Sequence, residues 1–162
     1  MKLFLITSIF IIFIITVFGN EIPKAFLGTF KLDRSENLDN YLIAKDIGFL
    51  QRKIVAFLSV SKEFSKNSDG TYNFHTLTTK KNLYYDNVTL NKEFEGRILD
   101  GSKRLLKFTY NPITEELEEH QIDKDNKLPT EIIYYTIKNG ILVWKSTFNG
   151  VTCKRYYNKV QL

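Results

Sequence analysis

The chain contains one cysteine, one tryptophan, two histidines and three prolines in 162 residues. A lone cysteine, Cys153, excludes an internal disulfide, so even an oxidising compartment would leave the domain held by its core. His75 and His120 fall on separate strand-like segments without a cysteine or acid at ligand spacing, which argues against a metal site. There is no Gly-x-Ser-x-Gly elbow and no phosphate loop. Glu118 and Glu119 are adjacent, so a strand sends them to opposite faces and they do not converge as an acid/base pair. The expectation is a protein that is not an enzyme and needs no cofactor. Arginine-rich runs are missing too. Lysine and glutamate are interspersed at a net charge of +5, a balance that does not favour nucleic acid but allows loose contact with anionic membranes. Low-complexity linkers and convincing internal repeats are also absent.

What is present begins with an apolar run. Lys2 is followed by an almost wholly apolar stretch from Leu3 to Phe18, with small residues Val17 and Gly19 before the polar chain begins. This reads as a secretory signal peptide over residues 1–19, leaving one domain over 20–162 and a secreted, extracellular protein. A membrane anchor is the alternative, but the run is short for a spanning helix and no basic cluster follows it. Loss of Lys2 would lower the net charge from +5 to +4. Asn87-Val88-Thr89 is an N-glycosylation sequon, expected near or within a strand.

Only "SENLDNYLIAKDIGFLQRKIVAFL", residues 35–58, has helical spacing. Leu38, Tyr41 and Leu42 mark one face, with Ser35 or Asn37 as a cap. Asp46-Ile47-Gly48 interrupts the pattern, and a second helix runs from Phe49 to about Phe57. Nearly everything after that reads as short strands between turns. Asn139-Gly140 and Asn149-Gly150 are strong hairpin signals, and "NVTLNKEFEG" reads as strand before a turn at Asp100-Gly101. An up-and-down barrel, which removes exposed edges, is favoured; a sandwich is the alternative.

The last segment, "VTCKRYYNKV", poses a question. Val151, Cys153, Arg155 and Tyr157 share a face, while Thr152, Lys154, Tyr156 and Asn158 look like the wetted side. Arg155 therefore points inward with Cys153, which reads as a small buried hydrophobe. An inward guanidinium needs a partner, either an interior acid of the protein or a ligand anion. Tyr157 is either a ligand contact or a core tyrosine bonded to backbone. In "ILVWKSTF" Lys145 must face solvent, which turns Trp144 inward to line or narrow the interior, or simply to pack within it.

At both ends the chain resembles the fatty acid-binding proteins and their retinoid-binding relatives. Gly28-Thr29-Phe30-Lys31-Leu32 followed by Asn37-Leu38-Asp39-Asn40-Tyr41-Leu42 matches the family's opening motif in spacing. Leu38 stands where an aromatic is usual, and Phe30 where tryptophan is usual. "GFLQRKI" is similar to the second helix of the family and "GVTCKRYY" to its last strand. The signal segment and a longer loop at 123–127 resemble the secreted nematode branch.

The resemblance implies a flattened ten-stranded up-and-down antiparallel β-barrel capped by a helix-turn-helix lid. It also implies a long-chain fatty acid or retinoid-like lipid inside, its carboxylate on Arg155 and Tyr157. The family's second interior cation would stand at Tyr135, or at Tyr134 if the register slips, so this chain is expected to have one interior arginine and an extra tyrosine. Such a site would hold a carboxylate less strongly, or favour a weakly polar headgroup. Gln121 is expected among the interior polar groups, and Trp144, Tyr41 and Leu42 among the ligand contacts. Lipid is expected to pass between the helical pair and nearby turns, because a hydrogen-bonded wall offers no other gap. Arg52 and Lys53, beside Phe49, Leu50 and Ile54, would support transient docking of the second helix on an anionic membrane by a monomeric carrier. A barrel filled by its own aromatics, serving structure or interaction, and a lipid-modifying enzyme on the same fold are the competing functions.

Overall fold

Two Asn-Gly turns organise the end of the chain. Asn139 and Asn149 have φ of 52° and 47°, and Gly140 and Gly150 both have φ of 78°. Two successive positive φ values make a tight turn whose twist matches that of the flanking strands. The computed structural model describes residues 21–125 and 129–161; the expected signal peptide and the end of the 123–127 loop lie outside these residues. A 3-10 turn (Lys24–Phe26) leads into β1 (Gly28–Glu36), α1 (Leu38–Ala44) and α2 (Phe49–Phe57). The remaining strands are β2 (Val60–Lys66), β3 (Tyr72–Thr78), β4 (Leu83–Val88), β5 (Phe94–Arg97), β6 (Lys103–Asn111), β7 (Glu116–Ile122), β8 (Glu131–Lys138), β9 (Ile141–Phe148) and β10 (Val151–Lys159).

All ten strands form one antiparallel sheet in the order β4-β3-β2-β1-β10-β9-β8-β7-β6-β5. Neighbours in sequence are neighbours in space, and β1 pairs with β10 to bend the meander into a nearly closed barrel. β4 and β5 are not paired. The "NVTLNKEFEG" segment is thus not one strand: it ends β4, turns and begins β5. The expectation that the wall has no break is also corrected. The β4–β5 seam is closed by side chains instead. Tyr85 packs edge-on against Phe94 with ring centres 5.7 Å apart and donates its hydroxyl to the Arg97 carbonyl at 2.8 Å. Gly96 lets this happen, since a Cβ there would lie 2.5 Å from Leu106 and 3.3 Å from Tyr85.

Strand alternation sends Phe30, Phe64, Phe74, Leu106, Phe108, Leu117 and Leu142 into the main core. A smaller cluster of Tyr41, Leu42 and Cys153 lies under α1, and Trp144 packs against both. Asn37 precedes α1, but not as a side-chain cap. It sits at φ 57°, and its amide donates to the Thr152 carbonyl at 2.9 Å, tying the helix start to β10. Ser35, the other candidate cap, lies within β1. α1 ends where Asp46 turns left-handed at φ 58°. α2 follows with no buried residue. It is tied to α1 through Arg52, which bonds the Asp39 carboxylate at 2.9 Å and the Ile47 carbonyl at 2.8 Å.

Candidate headgroup site in the barrel interior

The site is built on a row of cross-strand partners. Tyr135 on β8 lies opposite Trp144 on β9, which lies opposite Arg155 on β10. Each is an inward position, and Arg155 is opposite Ser35 on β1. Ser35 faces inward because β1 carries an irregularity between Leu32 and Arg34 that adds Asp33 to the strand. Strict alternation from Phe30 and Leu32 would have turned Ser35 outward. The guanidinium of Arg155 donates from Nε to Ser35 Oγ at 3.2 Å, and its Cζ is 6.0 Å from the centre of the Tyr157 ring. Among the described residues no acid lies within salt-bridge distance of Arg155. The interior-acid alternative therefore has no direct ion pair to carry it among the described residues. Tyr157 is 1% exposed, yet its hydroxyl has no protein partner among the described residues. Burial pushes that hydroxyl up and Arg155 pulls it back, leaving a neutral donor at ordinary pH.

Further along the interior, Tyr135 is enclosed while Tyr134 faces out beneath Lys145, whose Nζ is 4.6 Å from its ring centre. Tyr135 donates its hydroxyl to Glu119 Oε2 at 2.7 Å, and Gln121 donates its amide to Glu119 Oε1 at 2.7 Å. Lys62, from β2, reaches across to the same place. Its ammonium donates to Thr76 Oγ1 at 2.8 Å and to the Tyr135 hydroxyl at 3.2 Å. Sequence reasoning placed Arg155, Tyr157, Tyr135 and Gln121 on the interior, where they are, but missed Lys62 and Glu119. Both were findable: Val60 and Phe64 bracket Lys62 at strand spacing, and Leu117 and Gln121 bracket Glu119. The interior accordingly holds a second cation, contrary to the expectation of a single arginine.

Tyr41 and Leu42 serve the lid. Leu42 packs with Cys153, and Tyr41 meets Trp144 edge-on with ring centres 6.0 Å apart. Burial pushes the Cys153 thiol up to about 11, so it keeps its proton at ordinary pH. The Tyr41 hydroxyl donates to Glu131, which also accepts from Ser146 Oγ at 2.9 Å and from Lys45 Nζ at 2.5 Å. This carboxylate pins α1 to β8 and β9. Burial pushes Glu131 up, but the bonds from Lys45, Tyr41 and Ser146 outweigh it and hold the carboxyl below its usual range. A depressed carboxyl contributes stability above its unfolded value and loses it as pH falls through the folded value. We expect α1 amides to lose hydrogen-exchange protection as pH drops below about 4.5, with the contribution of the latch about 1–3 kcal/mol. Glu131→Gln should abolish that dependence; an unchanged acid profile in the variant would assign it elsewhere.

Outside the barrel, each histidine has one acid neighbour: Asp86 reaches His75 from the adjacent strand, whereas Glu118 is two residues before His120 on the same strand face and was legible in the sequence. His75 Nε2 is 2.7 Å from Asp86 and His120 Nε2 is 2.8 Å from Glu118. Among the described residues no group of three metal-ligating side chains forms. Asn87 is exposed at φ 55°, beside an irregularity in the β3–β4 ladder.

No family model matches the chain, but similar proteins and structures exist. It is 40% identical over 143 residues to fatty acid-binding protein homolog 3 of Caenorhabditis elegans, covering 87% of this chain and 86% of that one. Identity to the fatty acid-binding protein homolog of Ascaris suum is 34% over 161 residues, 96% of this chain and 98% of the relative. The solved structure of As-p18, described as an extracellular fatty acid binding protein, superposes with a TM-score of 0.80 at 34% identity, over 86% of this chain and 99% of that one. A capped, nearly closed meander with an inward Arg-x-Tyr pair and full-length relatives of this kind admit one assignment: the chain belongs to the fatty acid-binding protein family, a lipid-binding barrel rather than an enzyme.

Proposed function

We propose that this protein is a secreted carrier that encloses a long-chain fatty acid, with its carboxylate at Arg155 and Tyr157, and moves or sequesters it outside the cell. The observation that carries this reading is the inward Arg155 guanidinium. It has a serine but no acid beside it, and the neighbouring buried residue Tyr157 has a hydroxyl with no protein partner among the described residues. A ligand carboxylate supplies both the missing charge and acceptors for the guanidinium fork and the hydroxyl. Each buried methylene of the tail contributes about 0.8 kcal/mol, so the tail dominates affinity and the polar pair sets orientation. Arg155 and Trp144 keep partial accessibility although they face inward. That favours an interior with space in it over one filled by aromatics. Secretion is supported by the apolar leader at residues 1–19 and by the extracellular description of As-p18. Native mass spectrometry of the secreted protein, followed by lipid extraction, tests the reading. A co-purifying fatty acid at one per chain is expected. A bare chain that takes up no fluorescent fatty acid would favour the filled barrel.

Delivery at a membrane is part of this proposal, with a changed emphasis. Arg52 is largely committed to Asp39 and the Ile47 carbonyl, with a side chain only 15% exposed. Lys53 is the freer cation, 5.2 Å from the Phe49 ring centre. Phe49, Leu50 and Phe57 are exposed by 65%, 68% and 87%, an apolar surface suited to the headgroup boundary. Lys53→Gln should slow fatty acid transfer to anionic vesicles about fivefold, since one basic residue contributes about 1 kcal/mol near such a surface. Transfer to zwitterionic vesicles should not change. Rates indifferent to vesicle charge in both proteins would mean release into water before uptake. Asn87 is proposed as an N-glycan site, supported by its exposure at the end of β4; a glycosidase-sensitive mobility shift of the secreted chain tests it.

A further inference from the structure

The barrel interior contains an ionic arrangement that the Arg155–Tyr157 pair does not use. We propose that Lys62 is a second cation of the headgroup site and Glu119 its built-in counter-charge, so that the interior selects amphiphiles bearing a single negative charge. This rests on the carrier reading and deepens it.

The geometry has three parts. First, the Lys62 ammonium is placed by Tyr135, the residue whose row across β8, β9 and β10 ends at Arg155. Adjacent strands are about 4.8 Å apart, so the two inward positions at the ends of that row are about 10 Å apart along the wall. A carboxylate held between Arg155 and Lys62, whose charges act on one another, would face both cations. Second, Glu119 is already occupied on both oxygens, by Tyr135 and by Gln121, both neutral donors. It is a fixed charge that cannot swing away to neutralise Arg155. Third, Lys62 has three N–H donors. Thr76 and Tyr135 take two, and among the described residues no protein acceptor is recorded for the third.

Charge counting then decides the ligand class. Lys62 and Arg155 are positive, and Glu119 is negative. The other charged groups near the interior are paired in sets of their own, Lys45 with Glu131 and Arg104 with Asp123. Among the described residues one uncompensated positive charge is left in the low-dielectric interior. A monocarboxylate cancels it. A neutral alcohol leaves it standing, and a dianionic phosphate overshoots beside a fixed carboxylate.

The arrangement has a pH signature. Burial pulls the Lys62 ammonium down to about 8, with Arg155 pushing the same way and Glu119 pulling back. The groups around it are Thr76 from β3 and Tyr135 from β8, which it touches, and Glu119 from β7 and Arg155 from β10, whose charges act on it. Burial holds the Tyr135 and Tyr157 hydroxyls, and that of Tyr85 on β4, above their ordinary range, so they keep their protons through this window. A bound carboxylate favours the charged ammonium, so binding above pH 8 takes up a proton and affinity falls as pH rises.

The test uses a dansylated undecanoic acid, which stays soluble and ionised, against the matching alcohol and the matching alkyl phosphate. In the wild type, affinity for the acid should fall about tenfold per pH unit above about pH 8, while the alcohol shows no such fall. Lys62→Met should lose about 10- to 100-fold for the acid, little for the alcohol, and the pH dependence altogether. Lys62→Arg should keep the affinity for the acid without the fall above pH 8. Glu119→Gln, which adds a net positive charge, should improve the phosphate relative to the acid by at least tenfold. A flat wild-type profile, or equal losses for acid and alcohol in Lys62→Met, would overturn the inference. If Lys62→Met fails to fold, the wild-type profile and Glu119→Gln still decide. Should the wild type take up none of the three probes, the carrier reading itself fails; uptake of the acid unaffected by Lys62→Met would remove only this inference.

Discussion

Replacing Arg155 with leucine is expected to weaken binding of a long-chain carboxylate by about 1.5–3 kcal/mol, roughly 10- to 150-fold. The range is that of a charge-assisted hydrogen bond in a partly desolvated site. What the guanidinium has and lacks sets the size of the loss. Nε is spent on Ser35 at 3.2 Å, leaving the terminal nitrogens for the ligand. Leucine retains much of the apolar stem, so the tail's contribution should survive. A fatty alcohol of equal length should therefore lose much less than the acid, and displacement titrations of both ligands against both proteins give the comparison. Equal losses would mean that Arg155 shapes the barrel rather than holding a headgroup. The apo protein should be no less stable after the change, and can gain, because an uncompensated interior charge is removed. A large drop in apo stability would point to a structural role that the ion-pair geometry does not indicate.

Phe108→Ala should be the most damaging single truncation in the barrel, at about 3–5 kcal/mol. Phe108 is 1% exposed and stacks on Phe74 with ring centres 4.1 Å apart and planes within 7°. It also lies 6.0 Å from Tyr85 and 6.4 Å from Phe94, ring centre to ring centre. Those two residues close the seam that backbone hydrogen bonds leave open. Removing the ring takes away the surface against which both sides of the seam pack. In a domain of this size each kcal/mol lowers the melting temperature by roughly 3–5 °C, so a fall of about 10–20 °C is expected. Phe108→Leu should cost well under half as much, since most of the volume remains. Thermal and urea unfolding of the two variants would decide. A loss below about 1 kcal/mol for alanine would show that the ring borders empty space rather than a packed seam.

The sequence alone carried the meander, the two-helix insertion, the two Asn-Gly hairpins and the inward direction of Arg155 and Tyr157. Each follows from a local rule. Asn-Gly fixes turns whose two central residues have positive φ, and alternation along "VTCKRYYNK" sorts faces two residues at a time. The interior positions of Lys62 and Glu119 obey the same alternation and were legible, but a charged residue on a strand is ordinarily read as solvent-facing. Other features were decided by the tertiary structure. Ser35 reaches Arg155 only because Asp33 is an extra residue in β1, and a strand irregularity leaves no mark in a hydrophobic pattern. The unpaired β4–β5 seam depends on where the two ends of a ten-stranded sheet meet, which no local segment specifies. Glu131 gains its role as a lid latch from Tyr41 and Lys45, 90 and 86 residues away in sequence. Local geometry is written in local spacing. Partners across a barrel are set by closure, and closure is a property of the whole sheet.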